Sequence, residues 1–299
     1  MIKVSGVEKH FDDFKVLDDF SLEVRRGTVY GLVGPNGAGK TTIINHITGV
    51  LRPEKGSIEI DGERVFENGR VKQKVLSISD DWFYYSTYTI KDMARLYADI
   101  YPAFNYARYE KIKQVFGIDE KRQIRKLSKG MKKQVAFWLS LSAMPEVLIL
   151  DEPLDGLDPV MRKQTLNMVI ADVADREMTV LVSSHNLREL EDICDWVGII
   201  HKGHMITEKP LDDLKGSVRK YQLVFREDMS ERLQTIPAVL HVSRIGSVYN
   251  VIAKGSEEET DRIMNALSPV VCEKISLTLE EVFIYELGGL GYDFKNIIV

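Results

Sequence analysis

The chain has 299 residues, 44% hydrophobic and 28% charged; this balance excludes disordered and collagen-like chains and fits one large domain plus a smaller one. Lys and Arg total 40 against 45 Asp and Glu, a formal net charge of -5, which argues against a nucleic-acid coat. Two cysteines, Cys194 and Cys272, without CxxC spacing fit a reducing compartment and are expected as small buried hydrophobes, not as a disulfide.

The N-terminal "MIKVSGVEKHF" has no apolar core of a signal peptide. No stretch approaches the ~20 apolar residues that span a bilayer. A cytosolic chain is expected, with any membrane role exercised through a partner. Residues 2–33 read as strands joined by turns, and "FSLEV" alternates as a half-buried strand does. Residues 40–50 read as a helix. "GSIEIDGERV" (56–65) reads as a hairpin turning at Asp61-Gly62.

"SISDDWFYYSTYT" (77–89) then begins as a strand, meets Asp80 and Asp81, and carries five aromatics between Trp82 and Tyr88. Residues 90–143 have helical periodicity. "VLIL" (147–150) and "MTVLVSSH" (178–185) read as strands buried on both faces of a parallel sheet, with a helix at about 160–175 between them. "WVGIIHKGHMITE" reads as a hairpin around Lys202-Gly203. After Pro210 the pattern resets to strand, helix, strand, strand, helix, strand, helix, so a boundary is placed near 212–218. The expected fold class is α/β for residues 1–215, with a small C-terminal α+β module over 219–299.

Four short segments carry chemistry. "GPNGAGKTT" (34–42) follows a strand and opens a helix. Gly34, Gly37 and Gly39 let the backbone wrap phosphate oxygens, with Asn36, Ala38 and Thr42 completing the loop. Lys40 is placed to reach β- and γ-phosphates and Thr41 to hold Mg²⁺. "VLILDEP" (147–153) ends a buried strand in Asp151 and Glu152. A carboxylate there needs a cation or a donor, which makes Asp151 a Mg²⁺ ligand and Glu152 the group that polarises an attacking water. "LSKGMKKQ" (127–134) offers Ser128 and Gly130 at a helix start, where phosphate contact and plain N-capping are both open. "SSHNLRELE" (183–191) places His185 just past a strand, within reach of a γ-phosphate or merely as a surface histidine.

The order of these segments, with "GLDP" at 156–159, resembles the ATPase domain of ATP-binding-cassette (ABC) proteins over roughly residues 1–210. "LSKGM" and the tail "SLTLEEVFIYELGG" are similar to bacterial cassette ATPases that pair with separate ABC-2-type membrane subunits. The resemblance implies a P-loop NTPase core: a mixed sheet, an antiparallel β subdomain and a helical subdomain at about 90–143. It implies ATP and Mg²⁺ as cofactors, and transmembrane permease subunits as partners at the inner face of the membrane. It implies a head-to-tail homodimer, or a heterodimer with a second ABC ATPase. Ser128 and Gly130 would then bind the γ-phosphate held by the partner, Asp158 would contact the partner, His185 would sense the γ-phosphate, and Phe11 would stack on adenine.

One departure stands out. Aligned without gaps, Asp80 falls where the family carries a glutamine that touches Mg²⁺ and the attacking water. An aspartate can ligate the metal but cannot donate as an amide does. The aromatics after it read as a loop facing the membrane subunit, or as packing inside the helical subdomain. Two competing functions are a soluble cassette ATPase acting on ribosomes or DNA, and a non-catalytic ATP-dependent clamp. A single cassette without a coiled-coil insertion disfavours the first. Lys40, Asp151, Glu152 and His185 disfavour the second.

Overall fold

The computed structural model describes residues 1–79, 82–154, 156–184, 187–216 and 218–282, the side chains of Arg188 and Glu189 excepted. The chain divides into two compact units, Met1–Glu208 and Lys209–Val299.

The first unit opens with β1 (Ile2–Phe11) and β2 (Phe14–Val24), an antiparallel hairpin. In β2 the inward residues Phe20, Leu22 and Val24 are buried and the alternate Ser21 and Glu23 exposed, the period-2 pattern of a sheet with one covered face. Next come β3 (Val29–Val33), α1 (Lys40–Ile47), β4 (Lys55–Ile60), β5 (Glu63–Arg64), α2 (Gly69–Lys72) and β6 (Val75–Ile78). A helical insert follows: α3 (Ile90–Ile100), α4 (Tyr106–Phe116) and α5 (Lys129–Ser142). The unit closes through β7 (Val147–Asp151), α6 (Pro159–Arg176), β8 (Thr179–Ser184), α7 (Leu187–Glu191), β9 (Trp196–His201) and β10 (His204–Pro210).

Two sheets result. One runs β2-β1-β4-β5, and its described pairings are antiparallel. The other runs β10-β9-β3-β8-β7-β6, parallel from β9 to β6. Every residue of β3, β7 and β8 is buried. Such strands need cover on both faces, which explains their unbroken apolar runs. Ile43, Ile44 and Ile47 of α1 join Leu32, Ile149 and Ile58 in the central core, so α1 is fixed between the two sheets.

In the helical insert each helix start is capped by a side chain. Thr89 and Asp92 form a reciprocal capping box on α3, Asn105 caps α4, and Ser128 caps α5. Trp138 of α5 is fully buried; its ring stacks on Tyr109 at 4.7 Å and its Nε1 donates to the Tyr109 carbonyl at 2.8 Å. One aromatic thus pins α5 to α4.

The second unit contains α8 (Leu211–Gly216), β11 (Val218–Val224), α9 (Ser230–Gln234), β12 (Val239–Ile245), β13 (Val248–Lys254), α10 (Glu257–Ala266) and β14 (Val271–Ile275). From β11 onward the order is βαββαβ and the sheet runs β12-β13-β11-β14, a split βαβ arrangement. Tyr221, Leu223, Leu233, Tyr249, Val251 and Met264 form its core. The cysteine expectation needs one correction. Both thiols are free and Cys194 is buried, but Cys272 is exposed. It lies on β14, which among the described residues is an edge strand paired with β11 alone and whose first four residues are all exposed.

Trp138→Ala is expected to destabilise the first unit by about 3–5 kcal/mol, the range for a fully buried large aromatic. Urea unfolding of the variant beside the wild type measures it.

Candidate active site

The loop between β3 and α1 is shaped by close backbone approach. A Cβ on Gly34 would lie 2.3 Å from the Ile200 carbonyl oxygen, so only glycine lets β3 pass β9 there. Gly37 and Gly39 hold φ values of 79° and 110°, a region that favours glycine. Asn36 and Gly37 form the exposed crest, Ala38 is buried and Thr42 half-buried. The Ala38 amide donates to the Pro35 carbonyl at 3.1 Å, and the Gly203 amide donates to the Ala38 carbonyl at 3.0 Å. The β9–β10 turn therefore braces the loop from outside.

Lys40, at the first position of α1, is 6% exposed. Its ammonium donates to the Gly34 carbonyl at 2.7 Å and lies 3.7 Å from Glu152 Oε1. Burial pushes its pKa below the usual lysine value, while Glu152 and Asp151 pull it back up. The charge is kept at the loop by carboxylates from a different strand.

Asp151 ends β7 and is 7% exposed. One carboxylate oxygen accepts the Thr41 hydroxyl at 2.9 Å and the other accepts the Ser183 hydroxyl. Both oxygens are thus satisfied at the end of an apolar strand, as burial requires. A hydroxyl and a carboxylate in contact at a helix start are the hard oxygen donors that fit Mg²⁺, which commonly takes one or two carboxylates plus phosphates and water. Glu152 follows with φ 48°; its amide donates to the Ser183 carbonyl at 3.1 Å. Asp80 and His185 lie outside the described residues.

Ser128 Oγ accepts from the Met131 amide at 3.2 Å, so within the chain it is a helix cap. Asp158 caps α6 by accepting from the Val160 and Met161 amides, both at 3.1 Å. Gly130 has a packing reason of its own: a Cβ there would lie 2.5 Å from the Gly156 carbonyl oxygen. The starts of α5 and α6 are therefore joined by a backbone contact. Phe11 is 47% exposed near the β1–β2 turn, beside the more exposed Phe14, which rules out a core role. Lys9 Nζ stands 5.3 Å from its ring centre.

The aromatic segment splits in two. Trp82 Nε1 donates to the Tyr97 hydroxyl at 3.0 Å, tying the segment to α3. Burial raises the Tyr97 pKa to about 12. Phe83 is 69% exposed and packs edge-on against Tyr85, itself exposed. The packing reading holds for Trp82, while Phe83 and Tyr85 stay on the surface. A groove of about 870 Å³ runs from Thr41, Asp151 and Glu152 along α1 to Trp82, Phe83 and Tyr101.

Three supporting residues are not legible as such in the sequence: Ile200, Gly203 and Lys133. Ile200 and Gly203 shape the phosphate loop from the β9–β10 hairpin; the Lys202-Gly203 turn was visible but its target was not. Lys133, on α5, is 4% exposed and places its ammonium 3.3 Å from the Glu152 carbonyl oxygen. In sequence it is one lysine of a basic run.

A glycine-lined loop before a helix, with its lysine and hydroxyl meeting the acids that end a parallel strand two places along the sheet, defines a P-loop nucleotide-binding site. The family described as ABC transporter matches residues 17–155. The ABC transporter ATP-binding protein YtrB of Bacillus subtilis is 33% identical over 97% of this chain and 99% of its own length. The bacitracin transport ATP-binding protein BcrA of Bacillus licheniformis is 30% identical over 97% and 98%. A solved ATP-binding subunit of an ABC transporter is 30% identical, with a TM-score of 0.68 over 72% of this chain and 92% of that one. This chain belongs to the ABC transporter ATP-binding proteins, a family of ATPases that bind adenine nucleotides. Among the described residues no helix is long and apolar enough to cross a membrane.

Gly130→Ala is expected to destabilise the chain by about 1–3 kcal/mol, because the added methyl meets a backbone oxygen. Gly37→Ala, with nothing within 4 Å but a positive φ, is expected to cost about 1–2 kcal/mol. Chemical denaturation of the two variants compares a clash with pure backbone strain.

Proposed function

We propose that this chain is the ATP-hydrolysing subunit of an exporter, in which two cassettes close head to tail around two Mg²⁺-bound ATP molecules. The observation that carries the reading is the convergence of Lys40 on Glu152 at 3.7 Å and of Thr41 on Asp151 at 2.9 Å. Phosphoryl transfer depends on charge stabilisation and on an in-line water. Lys40 and the loop amides bind the β- and γ-phosphates. Thr41 and Asp151 would hold Mg²⁺, which neutralises charge developing on the phosphate oxygens. Glu152 accepts a hydrogen bond from the attacking water and orients it. Phe11 stacks on the adenine.

The other half of the site comes from the second subunit. Ser128 and the Gly130 amide, at the start of α5, contact the γ-phosphate bound by the partner, and Asp158 contacts the partner directly. His185 is read as the γ-phosphate sensor and Asp80 as an anion that would take the place of the family's metal-side amide, both outside the described residues. Both half-sites are encoded in one chain, so a homodimer suffices; a second ABC ATPase could serve in its place. The names of YtrB and BcrA support a transport role. Permease subunits are read as the membrane partners, with the exposed Phe83 and Tyr85 facing a short cytoplasmic helix of one of them. The chain is then cytoplasmic and peripheral at the inner face. Residues 1–215 are read as the ATPase domain and 219–299 as an accessory module that supports dimerisation.

Steady-state hydrolysis by the purified chain is expected to rise faster than linearly with protein concentration. Glu152→Gln is expected to lose about 10²-fold or more in rate while still binding ATP. A linear dependence would remove the composite site, and an unimpaired variant would remove Glu152 from it. Truncation after residue 216 is expected to weaken ATP-dependent dimer formation by the Glu152→Gln chain, measured by light scattering; unchanged dimerisation would sink the accessory role.

A further inference from the structure

Glu152 is a non-glycine residue in the left-handed backbone region, with φ 48°. Residues in that region persist only where the surroundings hold them. Its amide is held by Ser183 at 3.1 Å. Its carbonyl is met by the ammonium of Lys133 at 3.3 Å, and the same ammonium lies 3.4 Å from the carbonyl of Ser79. The positions of these two carbonyls are informative. The β6–β7 ladder pairs Val75 with Val147 and ends at Ile78 with Leu150. Ser79 and Glu152 lie just beyond it, where the strands part. Lys133 spans the gap from α5, about a turn and a half along from Ser128.

A buried ammonium is unfavourable unless its donors are met. Lysine has three donors and no acceptor, which suits a point where two carbonyls converge beyond the end of the β6–β7 ladder. Glu152 is thus approached by two buried ammonium groups, Lys40 at its carboxylate and Lys133 at its carbonyl. The first belongs to the phosphate loop and the second to the helix that starts with Ser128.

We infer that Lys133 is a positioning residue: it fixes the backbone of Glu152 and makes that fixation depend on the seating of α5. The inference rests on Glu152 being the group that orients the attacking water. A shift of α5 moves the ammonium that clamps Glu152, so the start of α5 and the water-orienting carboxylate act as one assembly.

The test compares Lys133→Gln, Lys133→Met and Lys133→Arg with the wild type and with Glu152→Gln. The Gln and Met variants are expected to lose tenfold or more in kcat with KM and ATP affinity within threefold of wild type. Lys133→Arg should recover a substantial part of kcat. In the nucleotide-free chain, hydrogen–deuterium exchange over residues 150–157 should rise at least threefold in the Gln variant, with α1 unchanged; this readout needs no turnover. Exchange at the wild-type level overturns the inference, as does a kcat within twofold of wild type. A fall in kcat matched by an equal loss of ATP affinity, with no recovery by Arg, overturns it too. Failure of all three variants to fold would assign Lys133 to stability alone and also overturn it. If Glu152→Gln keeps the wild-type rate, the reading of Glu152 fails instead, independently of the exchange result.

Discussion

The structure depends on keeping opposite charges together at the ends of buried parallel strands. Asp151 and Lys40 are both nearly out of water, and each would be strongly unfavourable alone. They are tolerable because β3, β7 and β8 end at the same level. Asp151 then finds the hydroxyls of Thr41 and Ser183, and Lys40 finds the Gly34 carbonyl and the Glu152 carboxylate. The apolar runs of these strands fix their depth in the sheet. The depth fixes where the polar tips meet. The β9–β10 hairpin presses on the loop through Ile200 and Gly203 and keeps it from relaxing outward.

The helical insert brings a different constraint. Three lysines, Lys129, Lys132 and Lys133, lie in the first turns of α5 with no acidic residue in the first turn. Cations at a helix N-terminus oppose the macrodipole. Their fates differ. The stem of Lys129 lies against Gly156, where an added Cβ would come within 3.7 Å of it. Lys132 sits over the Tyr84 ring at 5.1 Å. Lys133 goes inward to the carbonyls of Ser79 and Glu152. A terminus loaded with positive charge suits an anion, and it is held to the α6 start by the Gly130–Gly156 approach.

Much of this was legible in the chain. The phosphate loop, the acidic strand end, the insert and the C-terminal strand–helix alternation each have a local cause: glycine conformations, unbroken apolar runs, capping residues. The loop could be placed because strand, glycines and helix are contiguous. Cys272 was misjudged because burial of a cysteine depends on whether its strand is central or at an edge. That is a property of sheet order and not of the segment. The aromatic run stayed ambiguous because neighbouring rings in an irregular segment face different ways, Trp82 toward Tyr97 and Phe83 toward solvent.

The sequence by itself determined the glycine loop with Lys40 and Thr41, the acidic strand end at Asp151 and Glu152, and the kind of element that bears each. Their chemistry requires short-range patterns that survive in one dimension. Tertiary structure decided which residues support them. Lys132 and Lys133 are identical neighbours, yet α5 turns through about 100° per residue, so one meets an aromatic ring and the other enters the core. Gly130 and Gly156, like Gly34 and Ile200, meet only when separate elements pack. Contacts between residues distant in the chain leave no periodic trace, so the three-dimensional packing alone could assign them.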